Sequence, residues 1–167
     1  MGNYRSGRWN FHTARQTTGA SRRIYPKNIR PAIAFAEKGS LARWSFSWNR
    51  GGEPCGSISY QVEIKNDLYF LRLIYTVTLA GKEPEPLDYS IPLTTTPTPW
   101  GALRWWFTCP AAGCGRRVGA LYLPPGARRF ACRHCHNLTY QACLDSHKYD
   151  TLYKRYPALE ALDLLRR

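Results

Sequence analysis

The stretch Cys109-Pro-Ala-Ala-Gly-Cys114, followed after seventeen residues by Cys132-Arg-His-Cys135, decides how this chain folds. Two short cysteine pairs separated by an insert of hairpin length are typical of a zinc ribbon, in which each pair lies in a tight turn. Four thiolates would surround one tetrahedral Zn²⁺ and leave no coordination position open for catalysis. The pattern therefore predicts one structural zinc bound by Cys109, Cys114, Cys132 and Cys135.

The residues around the cysteines fit this interpretation. Gly115 follows the first pair, at a position where a metal-binding turn often needs a positive φ angle. The insert predicts two strands, Arg117–Leu123 and Arg128–Ala131, joined by the turn Pro124-Pro125-Gly126. The alternatives are reduced thiols without a metal, or two disulfides. Disulfides are less favoured, because the polar and basic stretch Met1–Asn10 does not resemble a secretory signal.

The order of segments predicts a mainly β protein, with an antiparallel β-meander domain followed by a zinc ribbon and with short helices near the N-terminus and at the C-terminus. We expect a flexible basic arm over residues 1–26, a short helix plus an antiparallel β domain over 27–98, the zinc ribbon over 99–140, and a helical tail over 141–167. The 167 residues are enough for one ordinary domain and a small metal module.

Alternating apolar residues and intervening turn residues predict four strands, Trp44–Trp48, Ser57–Ile64, Leu68–Ala80 and Asp88–Leu93. The last is predicted at the edge of the sheet, because Pro92 cannot donate to a ladder. The Thr/Pro-rich stretch that follows, residues 94–101, is predicted to be a linker.

Alternation also places Trp44, Phe46 and Trp48 on one face of the first strand, and Ile58, Tyr60, Val62 and Ile64 on the inner face of the second. These aromatic rows are either the core face of the sheet or a platform on which bases stack, and the core interpretation is favoured.

Helices are predicted in two regions of the chain. In Pro31–Lys38, the proline suits a first helical turn and Gly39 suits the end. At the other end of the chain, Thr139 is predicted to cap a helix that runs to about Arg155, and Cys143 would be buried on its apolar stripe. A second short helix is predicted after Pro157.

The net charge of +13 is unevenly distributed. Residues 1–50 hold ten Lys/Arg and one acidic residue, residues 51–100 hold three basic and six acidic residues, and residues 101–144 hold six arginines with no lysine and no acid. A basic metal module beside a basic arm is the electrostatic pattern of a protein that binds a polyanion. The alternative is that the charge only confers solubility.

We therefore predict a non-catalytic nucleic-acid-binding protein. The expected phosphate contacts of the ribbon are Arg116, Arg117, Arg128, Arg129 and Arg133. The arm would add Arg5, Arg8, Arg22 and Arg23, and Trp105 and Trp106 would stack on bases or support the hairpin. Because Trp105, Trp106 and Phe107 are consecutive, they cannot all face one side of a strand. The alternative function is a protein-interaction module, an adaptor or inhibitor that docks on a nucleic-acid-handling complex.

Catalysis is not expected. His134, His136, Asn137 and His147 beside a zinc site are similar to the residues of His-Asn-His nucleases, but two of them lie inside the second cysteine turn. The acidic residues form no recognisable pair, and there is no phosphate loop or nucleophile elbow. The longest apolar run, Leu68–Ala80, contains Arg72 and is too short to cross a bilayer. We expect a cytoplasmic protein with nucleic acid as its partner, a protein partner as the alternative, and no membrane.

Several segments together resemble a group of small uncharacterised bacterial proteins with a basic Gly/Arg-rich N-terminus, a β domain and a C-terminal four-cysteine zinc ribbon. They are Trp44-Ser-Phe-Ser-Trp-Asn-Arg-Gly-Gly52, Gly56-Ser-Ile-Ser-Tyr60, Trp105-Trp-Phe-Thr-Cys-Pro110 and Arg129-Phe-Ala-Cys-Arg-His-Cys-His136. The resemblance covers roughly residues 40–145. It implies a bacterial source and four cysteine ligands, and it supplies no activity. This chain departs from the usual compact first turn by carrying four residues between Cys109 and Cys114.

Overall fold

Antiparallel β-strands are the main secondary structure of the computed structural model, which describes residues 15–81 and 83–143, without the Arg50 side chain. The predicted mainly β class is confirmed. The elements in chain order are β1 (Arg22–Ile24), α1 (Pro26–Ala36), β2 (Trp44–Arg50), β3 (Glu53–Lys65), β4 (Leu68–Val77), β5 (Glu85–Pro97), β6 (Leu103–Thr108), β7 (Arg117–Val118), β8 (Leu121–Leu123) and a 3₁₀ turn at Gln141–Cys143.

Six strands form one antiparallel meander in the order β2-β3-β4-β5-β6-β7, and β1 pairs with β8 in a separate two-stranded sheet. The predicted meander of four strands is thus confirmed and extended by two. The predicted linker is wrong over residues 94–97, because β5 continues through them and pairs with β6 from Leu93↔Phe107 to Pro97↔Leu103. Pro92 precedes the residues of β5 that pair with β6, so the prediction of an edge strand is correct for the first part of β5 only.

The inner face of the meander carries the core. Tyr60, Leu71, Leu73 and Ile91 are buried, and cross-strand register aligns them on one side of the sheet. The aromatic row of β2 packs against this core, and the Phe46 ring stacks on Tyr60 with centroids 4.2 Å apart. The core interpretation of this row is therefore supported. Ile64, predicted to face inward, is 38% exposed, because it lies beside the turn into β4.

Helix α1 begins at Pro26, five residues before the predicted start. Pro26 stands at the first helical position, where a missing N–H costs no hydrogen bond, and the Asn28 Oδ1 accepts from the Tyr25 amide at 3.2 Å. Pro31 lies inside the helix. The residues Ile29, Ala32 and Ile33 are buried, at the spacing of one helical face, and the helix packs against β3 and β6.

The N-terminal segment is not a flexible arm where the structure describes it. Strand β1 pairs with β8 from Arg22↔Leu123 to Ile24↔Leu121, and Ile24 is almost fully buried. Nearer the N-terminus, Thr17 forms an isolated β-bridge with Thr139. The prediction is wrong for residues 15–26, because β8 offers them a strand edge that the local sequence does not reveal. Arg5 and Arg8 lie outside the described residues.

Thr139 does not cap a helix. Its amide donates to the Gln16 carbonyl at 3.0 Å, and its carbonyl accepts from the Thr18 amide at 2.9 Å, so the N-terminal segment occupies both of its backbone groups. Residues Gln141–Cys143 form a single 3₁₀ turn. The remainder of the predicted helical tail, residues 144–167, lies outside the described part of the chain.

The predicted ribbon strand Arg117–Leu123 is wrong as one strand. It divides at Gly119-Ala120 into β7, which joins the meander, and β8, which pairs with β1. Among the residues that the structure describes, the second predicted strand pairs only through the bridge Tyr122↔Ala131. The turn between them is confirmed, since the Ala127 amide donates to the Pro124 carbonyl at 3.0 Å and Gly126 has φ 81°.

Side chains of the meander hold the ribbon loop onto the sheet. The Tyr75 hydroxyl donates to the Arg128 carbonyl at 2.8 Å, and the Phe130 amide donates to the Tyr89 hydroxyl at 2.9 Å. The Phe130 ring is fully buried and stacks on Trp48, with centroids 6.1 Å apart. The ribbon and the β domain therefore share one core. Within residues 15–81 and 83–143, no helix has the length and apolar character needed to cross a membrane.

Candidate metal centre

Four cysteine sulfurs come together at one end of the sheet. The Sγ atoms of Cys109, Cys114, Cys132 and Cys135 all lie within 4.8 Å of one another. Three of the separations are 3.9 Å for Cys109–Cys135, 3.9 Å for Cys114–Cys132 and 3.6 Å for Cys132–Cys135. These are the four residues predicted as ligands. The described residues contain no disulfide among them.

The first cysteine turn begins where β6 ends. The Cys109 amide donates to the Arg116 carbonyl at 2.8 Å, and the Cys114 amide donates to the Ala111 carbonyl at 3.0 Å. Gly113 and Gly115 have φ 72° and 57°, so two left-handed residues let the four-residue spacing turn back on itself. The longer spacing therefore still brings both sulfurs into the cluster.

The second cysteine turn follows the bridge at Ala131. Inside it, the His136 amide donates to the Cys132 carbonyl at 3.2 Å, and the Leu138 amide donates to the Arg133 carbonyl at 2.9 Å. Asn137 adopts φ 50°, a conformation that asparagine tolerates better than most residues. Leu138 is buried and anchors the end of the turn.

The cluster fits a tetrahedral metal ion. Zinc–thiolate bonds of about 2.3 Å in a tetrahedral site place neighbouring sulfurs about 3.8 Å apart, close to the separations seen here. The Cys132 amide also donates to the Cys109 Sγ at 3.3 Å, an interaction that stabilises a thiolate. The arrangement therefore supports metal binding by all four cysteines.

The local environment shifts the pKa values of the thiols in opposite directions. The Arg116 amide lowers the pKa of Cys114 to about 7, whereas desolvation raises the pKa of Cys109 and of Cys135, with the neighbouring sulfurs adding to the rise at Cys135. Four negative sulfurs cannot coexist without a cation, so metal binding has to displace the protons that remain.

Other candidate ligands lie outside the cluster. Cys143, predicted to be buried, is exposed on the 3₁₀ turn, and Cys55 lies on β3. The prediction for Cys143 is wrong because the helix that would bury it does not start at Thr139. His134 is exposed. The His136 Nε2 is buried without a hydrogen-bond partner among the described residues, and burial lowers the pKa of this imidazole.

Most arginines of the ribbon lie over aromatic rings. The guanidinium carbons of Arg104 and Arg117 lie 4.2 and 5.5 Å from the centroid of the Trp106 ring. Arg129 lies 5.3 Å from the Tyr89 ring, and Arg133 lies 4.8 Å from the Tyr140 ring. A cation over a ring is attracted by the π-system and keeps its positive charge, so these arginines remain suited to contact an anion.

Few of the predicted phosphate contacts are neutralised by acids. Within residues 15–81 and 83–143, Arg128 is the one arginine of the ribbon in an ion pair, and its partner is Glu85. Arg116 is exposed beside Cys114 and His134, at a shallow cavity of about 380 Å³. The charge of the ribbon is thus largely unpaired.

Two predicted phosphate contacts of the N-terminal segment, Arg22 and Arg23, face opposite sides of β1. Arg22 donates to the Cys55 carbonyl and lies against Gly56, so its guanidinium is engaged by the sheet. Arg23 instead lies over the Tyr25 ring, 5.8 Å from the centroid. Alternation along β1 explains why the two neighbours face opposite sides.

The consecutive tryptophans lie on opposite faces of β6, in agreement with the prediction that they cannot all face one side. Trp105 packs against the core and meets Tyr69 edge to face with centroids 4.9 Å apart. Trp106 lies on the outer face of the sheet, where its indole N–H donates to the Thr96 Oγ1 at 2.8 Å. Sequence reasoning did not single out Trp100, which is 90% exposed, although its Pro-Trp-Gly setting is typical of a turn.

Comparison of the chain with protein-family models, curated proteins and solved structures gives no match.

Proposed function

We propose that this protein is a zinc-ribbon protein that binds nucleic acid without catalysing a reaction on it. Zinc is the metal that four closely spaced thiolates in a tetrahedral arrangement favour, and the cytoplasm would keep these thiols reduced. When bound, the metal would tie the two cysteine turns together. With four protein ligands, it would leave no position for a reacting water.

The arginines of the ribbon carry this proposal, since Arg128 is the one among them that pairs with an acid in the part of the chain that the structure describes. Residues 101–143 hold six arginines and no acidic residue. Arg104 and Arg117 flank one indole, and Arg129 and Arg133 each lie over a tyrosine. An arginine that a neighbouring ring restrains loses less side-chain entropy when it contacts a phosphate than a fully mobile one does.

Charge removal tests the proposal. We expect Arg117→Ala combined with Arg129→Ala to weaken binding to nucleic acid of any sequence and to lower the slope of log affinity against log salt by about one unit per lost phosphate contact. The measurement is a salt titration by fluorescence anisotropy, with metal-loaded protein and labelled duplex DNA, single-stranded DNA and RNA.

Lys65→Ala is the matched control, because Lys65 is exposed and paired with Glu63 at 2.5 Å. It removes one positive charge and should leave the slope unchanged. Absence of binding to every polynucleotide at low salt would overturn the proposal. A protein partner that stays bound after nuclease treatment and high salt would then favour the adaptor or inhibitor function.

A further inference from the structure

A cavity of about 450 Å³ lies beside the turn between β5 and β6, away from the cysteine cluster. Its volume falls in the range of about 300–1,000 Å³ that small-ligand pockets occupy. None of the described residues that line it is acidic. Its wall combines aromatic rings with cations, namely Tyr25, Trp100 and Trp105 with Lys27, Arg30 and Arg104.

Trp100 is held at the mouth of this cavity by an ordered turn. The Thr98 amide donates to the Ala102 carbonyl at 2.8 Å, the Gly101 amide donates to the Thr98 carbonyl at 3.0 Å, and Gly101 has φ 76°. The indole is nevertheless 90% exposed. A large ring that is left unpacked beside a cavity is available for stacking on a ligand.

A second part of the lining comes from the start of α1 and the residue before it. Tyr25 precedes α1, and the Lys27 Nζ lies 5.5 Å from the centroid of its ring. Lys27 and Arg30 are exposed three residues apart on α1, a spacing that places them on the same side of the helix. Neither is in an ion pair with an acid among residues 15–81 and 83–143.

We propose that this cavity receives an unpaired base of a single-stranded nucleic acid. The base stacks on Trp100, and Lys27 and Arg30 contact the flanking phosphates. Rings that accept a planar group, beside cations with no acid, match a nucleotide in both shape and charge. A base within a duplex has both faces covered by its neighbours, so the cavity selects single strands. This inference rests on the proposed function and adds the class of nucleic acid.

The test separates stacking from charge by using a strand without bases. Anisotropy titrations compare two labelled DNA strands with the same number of phosphates, an intact single strand of mixed sequence and a strand in which every base is missing. An intact RNA strand is titrated in the same way. We expect Trp100→Ala to weaken binding of the intact strands about 5- to 100-fold. Binding of the baseless strand should stay unchanged, and Trp100→Phe should restore most of the loss.

Lys27→Ala should weaken binding of intact and baseless strands equally, because it removes a phosphate contact. Leu41→Ala is the control for loss of an exposed apolar side chain, since Leu41 is 74% exposed and lies outside the cavity wall. If Trp100→Ala binds the intact strand like the parent protein, the inference fails while the proposed function stands. If the parent protein binds no polynucleotide, the proposed function fails and this inference with it.

Discussion

Each cysteine of the cluster contributes one sulfur to the candidate metal centre. Cys132 is buried, its sulfur lies 3.6 Å from Cys135, and its amide donates to the Cys109 Sγ. We expect Cys132→Ala to reduce the bound metal from about one equivalent per chain to below about 0.2, because three thiolates leave a structural site open to water and chelators. Metal content after dialysis, measured by mass spectrometry, checks this.

Cys143→Ser supplies the matched control for this prediction. Cys143 is exposed and does not belong to the four-sulfur cluster. The variant should keep the full metal content of the parent protein. Equal metal loss in both variants, or retention of one equivalent by Cys132→Ala, would contradict the assignment of the four ligands.

At the level of whole elements, the pairing of β1 with β8 makes the N-terminal segment part of the folded core. Ile24 ends β1 and is only 1% exposed, within the same core as Leu71 and Phe107. We expect Ile24→Ala to lower the free energy of unfolding by about 2–5 kcal/mol, the cost of truncating a buried aliphatic side chain. Denaturation of metal-loaded protein in guanidinium chloride, followed by circular dichroism, measures the change.

Leu41→Ala removes a similar volume from a side chain that is 74% exposed, so it should change the free energy of unfolding by less than about 0.5 kcal/mol. If Ile24→Ala is equally neutral, residues 15–26 behave as an arm in solution, and the pairing of β1 with β8 contributes nothing to stability.

The same two elements show what the sequence could and could not reveal. Alternation and turn residues located β2, β3 and β4, and cysteine spacing located the cluster, because both signals are local. The β1–β8 pairing joins residues about one hundred positions apart, and no local pattern in Arg22–Ile24 announces it. The division of Arg117–Leu123 between two sheets was missed for a related reason. Neighbours in space, rather than propensity, decide where a short strand pairs.

Individual side chains of the candidate site show the same limit. The sequence identified the arginines of the ribbon, but it did not show that Arg128 is paired with Glu85 or that Arg22 is engaged by the sheet. Both facts depend on contacts between distant segments. Trp100 was overlooked because exposure, rather than residue type, makes it a candidate for stacking.

For the molecule as a whole, the ribbon and the meander share one buried core. β6 enters the first cysteine turn directly, and β7 returns to the same sheet. Phe130 contacts Trp48 on β2, and the Trp48 indole N–H donates to the Arg23 carbonyl at 3.1 Å. The first strand of the sheet is thus packed against both the ribbon and the N-terminal segment. We therefore expect loss of order at the metal centre to affect the packing of β2 as well.

This coupling predicts how the protein responds to metal removal. A zinc chelator should lower the unfolding midpoint by at least about 10 °C, since structural zinc contributes on the order of 10 kcal/mol and about 1 kcal/mol moves the midpoint of a chain this long by about 2–4 °C. Far-ultraviolet circular dichroism and tryptophan fluorescence should agree with each other on the midpoint, both for the metal-loaded protein and for the chelated protein, because we expect the sheet and the ribbon to unfold together. Adding back one equivalent of zinc should restore the original midpoint. Two separate transitions, with the upper one unmoved by the chelator, would instead show that the sheet is stable without the ribbon and that the shared core does not couple them.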